Sequence, residues 1–305
     1  MDAGGPGALE ACRANVAMAF ETRESTERKT LRDLQPILTG HLFGPVRREL
    51  LSLLNGLDEQ EWGRPTAAGK WNVKDVALHI LGGDVGNLSR RRDAFSLKAD
   101  LSDFGKLVAF INEINASWVA AGQRMSTRVL LDLLDHAGRQ MDEYFAGLDP
   151  FLMGEAVGWA GDEPMPVWFD VAREYTERWH HQQQIRDATE RPGLYERRLF
   201  EPVMDTFVRA LPWTFRAVEA AEGTSVRLGL TGACRKEWSL VRGHAKWELF
   251  EGRTAHSTVE VGLAAENAWK IFTKGIRGRE ARSCAEISGD SVLGQKVLET
   301  IAVIA

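Results

Sequence analysis

A chain of 305 residues and 34.0 kDa exceeds the size at which one hydrophobic core usually stops growing, so we expect two domains. The hydrophobic fraction of 44% is enough for such cores, whereas the mean hydropathy of -0.25 and the lack of an apolar run of about 18 residues exclude a membrane span. The net charge of -5 makes nucleic acid a poor partner.

The N-terminal sequence and the cysteines indicate a cytoplasmic protein. The chain begins MDAGGPGALE, which lacks the basic and apolar regions of a signal peptide. Cys12, Cys234 and Cys284 lie far apart without paired spacing, which is typical of a reduced compartment rather than a disulfide framework. We interpret each as a small buried side chain rather than a nucleophile, because none has an activating neighbour in the sequence.

The first half of the chain is predicted to be helical. Charges crowd the first 35 residues, which we interpret as a weakly ordered extension with a helix over 9–22. Apolar residues at helical spacing then predict a helix in HLFGPVRRELLSLLNGL. After a loop, Asn72 can cap the next helix, and Asp75 favours its dipole. Further helices are predicted over 101–121 and 127–148.

Two adjacent glycines interrupt the helix that Asn72 caps. Gly82 and Gly83 follow His79 by one turn, and each glycine inside a helix costs about 1 kcal/mol relative to alanine. The pair therefore predicts a close approach of backbone, ligand or another helix. His79 itself has two interpretations, a hydrogen-bonded core residue or a metal ligand, and a lone histidine favours the first.

The central stretch, residues 167–188, reads as one helix in which Glu177 and His181 are four residues apart. This spacing places the two side chains about 6 Å apart on one helix face, where they could bind one metal ion. They belong to a polar stripe of five residues: Asp170, Glu174, Glu177, His181 and Gln184. The periodicity alone favours a stripe exposed to water. His180 points about 100° away from His181 around the helix.

The last third of the chain changes to a strand pattern. A helix before it is predicted to kink or split near Pro212. VRLGLTG, KEWSLVRG, KWELFEG and STVEVG alternate apolar with polar residues between glycines, which predicts a short antiparallel meander. A helix in AENAWKIFTKG, a strand in ARSCAEISG and a C-terminal helix complete the prediction.

Two stretches, GLDEQEWGRPTAAGKWNVKDVALHILGGD and EYTERWHHQQQIRDATERPGL, resemble the mycothiol-dependent maleylpyruvate isomerase family of the DinB-like metalloenzyme superfamily. The resemblance implies three metal ligands: His79 from a Trp-x-Val-x-Asp-Val-x-x-His phrase, and Glu177 and His181 from Glu-x-x-x-His. Many DinB-like relatives have a histidine where this chain has Glu177, which favours the isomerase branch. Tryptophans and the run GDSVL in the C-terminal part resemble the sterol carrier-like domain of many members.

The resemblance implies a fold of class α and α+β. The resemblance covers about residues 36–305, with a DinB-like metal-binding four-helix bundle over 36–194 and a small sterol carrier-like α+β domain over 195–305; the extension over 1–35 lies outside it. The implied cofactor is a divalent ion, with zinc favoured by two imidazoles, one carboxylate and an open position. Mycothiol is the implied cosubstrate, and its metal-bound thiolate would add to an activated cis double bond and leave again.

The resemblance and the charges also suggest residues that bind the small molecules. Gln184 and Arg186 follow the ligands and are predicted to bind the cosubstrate; exposed polar residues are the alternative. Lys274, Arg277 and Arg282, in a cluster with Arg279, are predicted to act on an acidic substrate, and solvated loop charges are the alternative.

We therefore expect a monomeric or homodimeric enzyme that acts as an isomerase or thiol S-transferase on a small electrophile. Two alternatives remain. One is a metal-dependent hydrolase that uses metal-bound water. The other is a non-catalytic protein whose Trp-rich C-terminal domain holds an apolar ligand.

Overall fold

The computed structural model describes residues 31–95, 97–99 and 103–303. The helix predicted over 9–22 and the site of Cys12 lie outside these residues. The described chain forms two compact units. Residues 37–158 and 163–194 form the helical unit, and residues 195–303 form the α+β unit together with 31–36 and 159–162. No described helix is long and apolar enough to span a membrane.

The helical unit is built from five long helices: α1 (Phe43–Asn55), α2 (Val73–Asn87), α3 (Phe104–Gly122), α4 (Thr127–Ala146) and α5 (Val167–Ala188). Helices α1 and α2 each pack against α4 and α5, which makes a four-helix bundle, and α3 packs on the outside against α2. Two short strands, β2 (Met153–Ala156) and β3 (Pro164–Pro166), form a hairpin before α5.

Local signals explain where α2 begins and how α3 packs on it. Asn72 caps the helix, as predicted, by accepting from the backbone N–H of Asp75 at 2.9 Å; the Asp75 side chain accepts in return from the backbone N–H of Asn72 at 3.0 Å, which completes a capping box. A Cβ at Gly82 would lie 2.6 Å from Trp118 of α3, so the predicted close approach is confirmed there. At Gly83 a Cβ would meet no described atom within 4 Å, so no described helix approaches closely there, and approach of a ligand stays a prediction.

The α+β unit begins with helices and continues as a sheet. Helix α6 (Arg197–Phe207) is followed by a 3-10 turn and by α7 (Leu211–Thr214), so the helix splits near Pro212, as predicted. The sheet contains β1 (Arg32–Asp33), β4 (Ser225–Thr231), β5 (Lys236–Arg242), β6 (Trp247–Glu251), β7 (Val259–Ala264) and β8 (Ala285–Gly289). Helices α8 (Ala265–Phe272), α9 (Gly278–Ser283) and α10 (Ser291–Val297) complete the unit.

The order of the strands differs from the predicted meander. The sheet runs β1-β6-β5-β4-β7-β8, and β7 pairs with β4 in parallel. The prediction of an antiparallel meander is therefore wrong for β7, the fourth of the predicted strands. In a meander, β7 would pair with the free edge of β6, but β1 occupies that edge. Strand β7 lies on the other side of β4 instead. The predicted fold class, a helical part followed by an α+β part, is confirmed.

Candidate metal centre

Helices α2 and α5 bring three side chains together inside the helical unit. His79 comes from α2, Glu177 and His181 come from α5, and their ligand atoms all lie within 4.8 Å of one another. Nε2 of His181 is 3.4 Å from Oε2 of Glu177. Two ligands about 2.1 Å from one tetrahedral ion are separated by about 3.4 Å. The spacing therefore suits two ligands of a single ion.

The surroundings of His79 leave it available as a ligand. Its ring lies 4.9 Å from the ring of Trp71 and 4.6 Å from that of His181, measured between centroids. Its Nδ1 atom is buried and has no hydrogen-bond partner among the described residues. Burial, and then the charge of His181, lowers the pKa of His79 to about 3, so the ring is neutral at pH 7. A neutral imidazole is the form that binds metals.

Glu177 is the anionic member of the group. Burial acts to raise its pKa, but the interactions with His181, His180 and Arg173 outweigh burial and lower the pKa to about 2. The carboxylate is therefore ionised at neutral pH. Two imidazoles and one carboxylate make a donor set that fits a divalent ion.

Gln184 holds His181 in place one helical turn further on. Nδ1 of His181 lies 2.9 Å from Oε1 of Gln184. Since an amide oxygen only accepts hydrogen bonds, Nδ1 carries the hydrogen, and Nε2 is directed at Glu177. The side-chain oxygen of Gln184 therefore contacts His181, a candidate metal ligand. Contact of Gln184 with a cosubstrate stays a prediction.

His180 lies beside this group without joining it. Its ring centroid is 3.9 Å from that of His181, yet its Nδ1 contacts the carbonyl oxygen of Thr176 at 3.0 Å. Burial, and then the charge of His181, lowers its pKa to about 3. His180 is therefore a buried neutral residue that hydrogen-bonds to its own helix.

The polar stripe of α5 is not exposed to water, so the solvated-face interpretation is wrong. Glu174, His181 and Gln184 are buried, and Asp170 and Glu177 are half-buried. Burial is possible because an ion-pair network neutralises the carboxylates. Its members lie on α2, on the turn after α2 and on α5: Asp84, Asn87, Arg91, Asp170, Arg173, Glu174 and Arg178.

The network connects the two helices that carry the candidate ligands. Arg178 of α5 donates to Asp84 of α2 at 2.5 Å and to Glu174 at 3.0 Å. Arg91, after α2, pairs with Asp170 and lies 3.4 Å from Glu174. The three guanidinium groups balance the three carboxylates. Glu177 is not a member of these ion pairs and lies beside His79 and His181, where its carboxylate favours a cation.

Arg186, predicted to bind a cosubstrate, has protein partners. Its guanidinium donates to the carbonyl oxygen of Pro192 at 2.9 Å and lies 3.1 Å from Glu49 of α1. These contacts join the end of α5 to α1. They indicate a structural role, and binding of a cosubstrate by Arg186 stays a prediction.

The basic residues predicted to act on the substrate lie in the α+β unit. Lys274 follows α8 with a φ of 67°, and burial and the charge of Arg277 lower its pKa. Arg277 is the N-cap residue of α9, and Arg282 donates to the carbonyl oxygen of Ala285 at 3.0 Å. Arg279 lies in the first turn of α9 and is exposed. Their action on a substrate stays a prediction.

Burial of Cys234 agrees with its sequence-based interpretation. Burial, and then the charges of Glu201 and Asp205, raises the pKa of its thiol to about 12. Cys234 is thus a thiol and not a nucleophilic thiolate at neutral pH. Cys284 is also buried.

Comparison with solved structures finds proteins of similar fold at low sequence identity. Two solved structures are similar, both described as mycothiol-dependent maleylpyruvate isomerase, one of them a histidine-to-alanine mutant. The mutant has 10% identity and a TM-score of 0.49, with 79% of this chain and 90% of that chain covered. The other has 11% identity and a TM-score of 0.49, with 78% and 88% covered.

The family match covers the part of the chain that carries all three candidate ligands. No curated protein sequence matches the chain. Residues 43–186 match the family described as the mycothiol maleylpyruvate isomerase N-terminal domain. The resemblance noted from the motifs is confirmed for residues 43–186, the part of the chain that matches this domain family.

Proposed function

We propose that His79, Glu177 and His181 bind one divalent ion, zinc being favoured, in an isomerase or thiol S-transferase that uses mycothiol as cosubstrate. The observation that carries the proposal is the convergence of three ligand atoms within 4.8 Å. Two features support a cation at this point: the buried Nδ1 of His79 has no hydrogen-bond partner among the described residues, and the pKa of Glu177 is lowered to about 2.

The ion and the cosubstrate together supply the nucleophile in this proposal. A divalent ion with an open position would hold a bound thiol as its thiolate at neutral pH. The contribution of the chain is to keep His79 neutral and Glu177 ionised through their surroundings. Cys234 does not compete as nucleophile, because its pKa of about 12 keeps it protonated.

The proposed substrate is a small electrophile with an acidic group. Lys274, Arg277 and Arg282 are proposed to bind that group, since guanidinium and ammonium groups pair with carboxylates. The family match supports maleylpyruvate as the first substrate to test. We place the reaction in the cytoplasm, where mycothiol would be reduced.

Turnover of maleylpyruvate by the metal-loaded full chain, with and without mycothiol, tests the proposal. We expect turnover that requires mycothiol and falls at least about 100-fold in Glu177→Gln, because the ion loses its anionic ligand. His136→Ala is a matched control, since this histidine is exposed on α4. Turnover of a hydrolysable substrate that is indifferent to mycothiol would instead support the hydrolase alternative.

A further inference from the structure

We propose that Gln184 is a positioning residue that fixes the orientation of His181 and the nitrogen with which His181 binds the ion. This inference rests on the proposed metal centre. It assigns Gln184 a task different from contact with a cosubstrate. Gln184 is 7% exposed and lies one helical turn beyond His181 on α5.

The hydrogen bond determines which nitrogen faces the site. Oε1 of Gln184 accepts from Nδ1 of His181 at 2.9 Å, so the ring cannot rotate about its χ2 angle without losing this bond. Nε2 of His181 then lies 3.4 Å from Oε2 of Glu177. Because the Nδ1 hydrogen of His181 is donated to Gln184, Nε2 of His181 has a lone pair. This lone pair and the carboxylate of Glu177 face the same point. A cation at that point satisfies both atoms.

The neighbouring glutamines show that burial alone does not create this role. Gln182 donates to the carbonyl oxygen of Val46 at 3.2 Å, which joins α5 to α1. Gln183 accepts from the backbone N–H of Leu194 at 2.9 Å and donates to Asp187 at 3.0 Å. Both are buried, but the hydrogen bonds described for them go to residues outside the candidate ligands. They provide matched controls for Gln184 on the same helix.

Zinc affinity of the full chain, measured against a chromophoric chelator without any thiol present, tests the inference. We expect Gln184→Leu to bind zinc about 10- to 100-fold more weakly, the usual loss when the partner of a ligating histidine is removed. Gln184→Glu should bind zinc at least as tightly as the unaltered chain, because a carboxylate also accepts from Nδ1. Gln183→Leu should stay within about threefold of the unaltered chain.

An equal loss in Gln184→Leu and Gln183→Leu, or none in either, would overturn the inference. NMR of the metal-free chain tests the contact independently of zinc, and its amide spectrum shows whether each variant is folded. We expect a slowly exchanging Nδ1 hydrogen on His181 that disappears in Gln184→Leu; its absence from the unaltered chain would overturn the inference. If that hydrogen is present but the unaltered chain binds no zinc, the metal centre fails and the positioning of His181 stands.

Discussion

Replacing Arg178 should expose how strongly the two ligand-bearing helices depend on their ion pairs. Arg178 is the guanidinium that pairs with Asp84 in the described part of the chain, and Asp84 is 4% exposed. Glu174 also contacts Arg91, Arg173 and Asn87, so it remains paired when Arg178 is lost. Removal of Arg178 therefore leaves one buried carboxylate without a cation.

The expected magnitude follows from this single uncompensated charge. Removing one partner of a buried ion pair costs about 3–5 kcal/mol, a large part of the roughly 5–15 kcal/mol by which proteins are usually stable. We therefore expect the free energy of unfolding of the metal-free chain to fall by about 3–5 kcal/mol in Arg178→Met, measured by urea titration. The double variant Arg178→Met with Asp84→Leu should recover most of that loss, because no charge remains unpaired.

The pH dependence of the single variant gives a further check. Burial already raises the pKa of Asp84 even though Arg178 lowers it, so loss of Arg178 should raise the pKa further. Above pH 3.8, the ordinary pKa of an aspartate, Asp84 is then still protonated in the folded chain but ionised in the unfolded chain. Arg178→Met should thus regain stability relative to the unaltered chain as the pH falls. A loss below about 1 kcal/mol, or a double variant no more stable than the single one, would refute this reasoning.

Two further predictions concern packing and pH. Gly82→Ala should lower the free energy of unfolding by about 1–3 kcal/mol, since its Cβ would lie 2.6 Å from Trp118, whereas Gly83→Ala should raise it by about 0.5–1 kcal/mol; equal effects would contradict this packing. The pKa values of His79 and His180 are lowered from 6.5 to about 3 in the folded chain. The unfolded chain therefore binds more protons below pH 6.5, and the metal-free chain loses stability as the pH decreases below that value. His180→Phe should reduce the loss of stability between pH 6 and 5 by about 1.2 kcal/mol, measured by urea unfolding, and an unchanged loss would contradict a neutral His180.

Short-range signals predicted the parts of the fold that depend on neighbouring residues. The bounds predicted for the central helix agree with α5, Val167–Ala188, and the cap formed by Asn72 and Asp75 is present. Both depend on hydrogen bonds and side-chain directions within about one helical turn. Spacing also placed Glu177 and His181 on one face of α5, where their side chains meet.

The sequence could not show which long-range partners these elements would have. The polar stripe of α5 looked solvated because charged residues are usually exposed, yet Arg91, which is distant in sequence, pairs with Asp170 and helps to bury it. Likewise, alternation identified the strands of the sheet but not the parallel pairing of β7 with β4. Gln184 was predicted to bind a cosubstrate, although its spacing of three from His181 also fits the observed hydrogen bond.

Metal content of the full chain, purified without an affinity tag, tests the proposed centre most directly. We predict close to one divalent ion per chain, and we predict its loss in His79→Ala and in His181→Ala, each of which removes one imidazole from the group within 4.8 Å. His180→Ala should retain the ion, because the Nδ1 of that ring is engaged by the Thr176 carbonyl oxygen. Trace metal that is the same in the unaltered chain and all three variants would contradict the account.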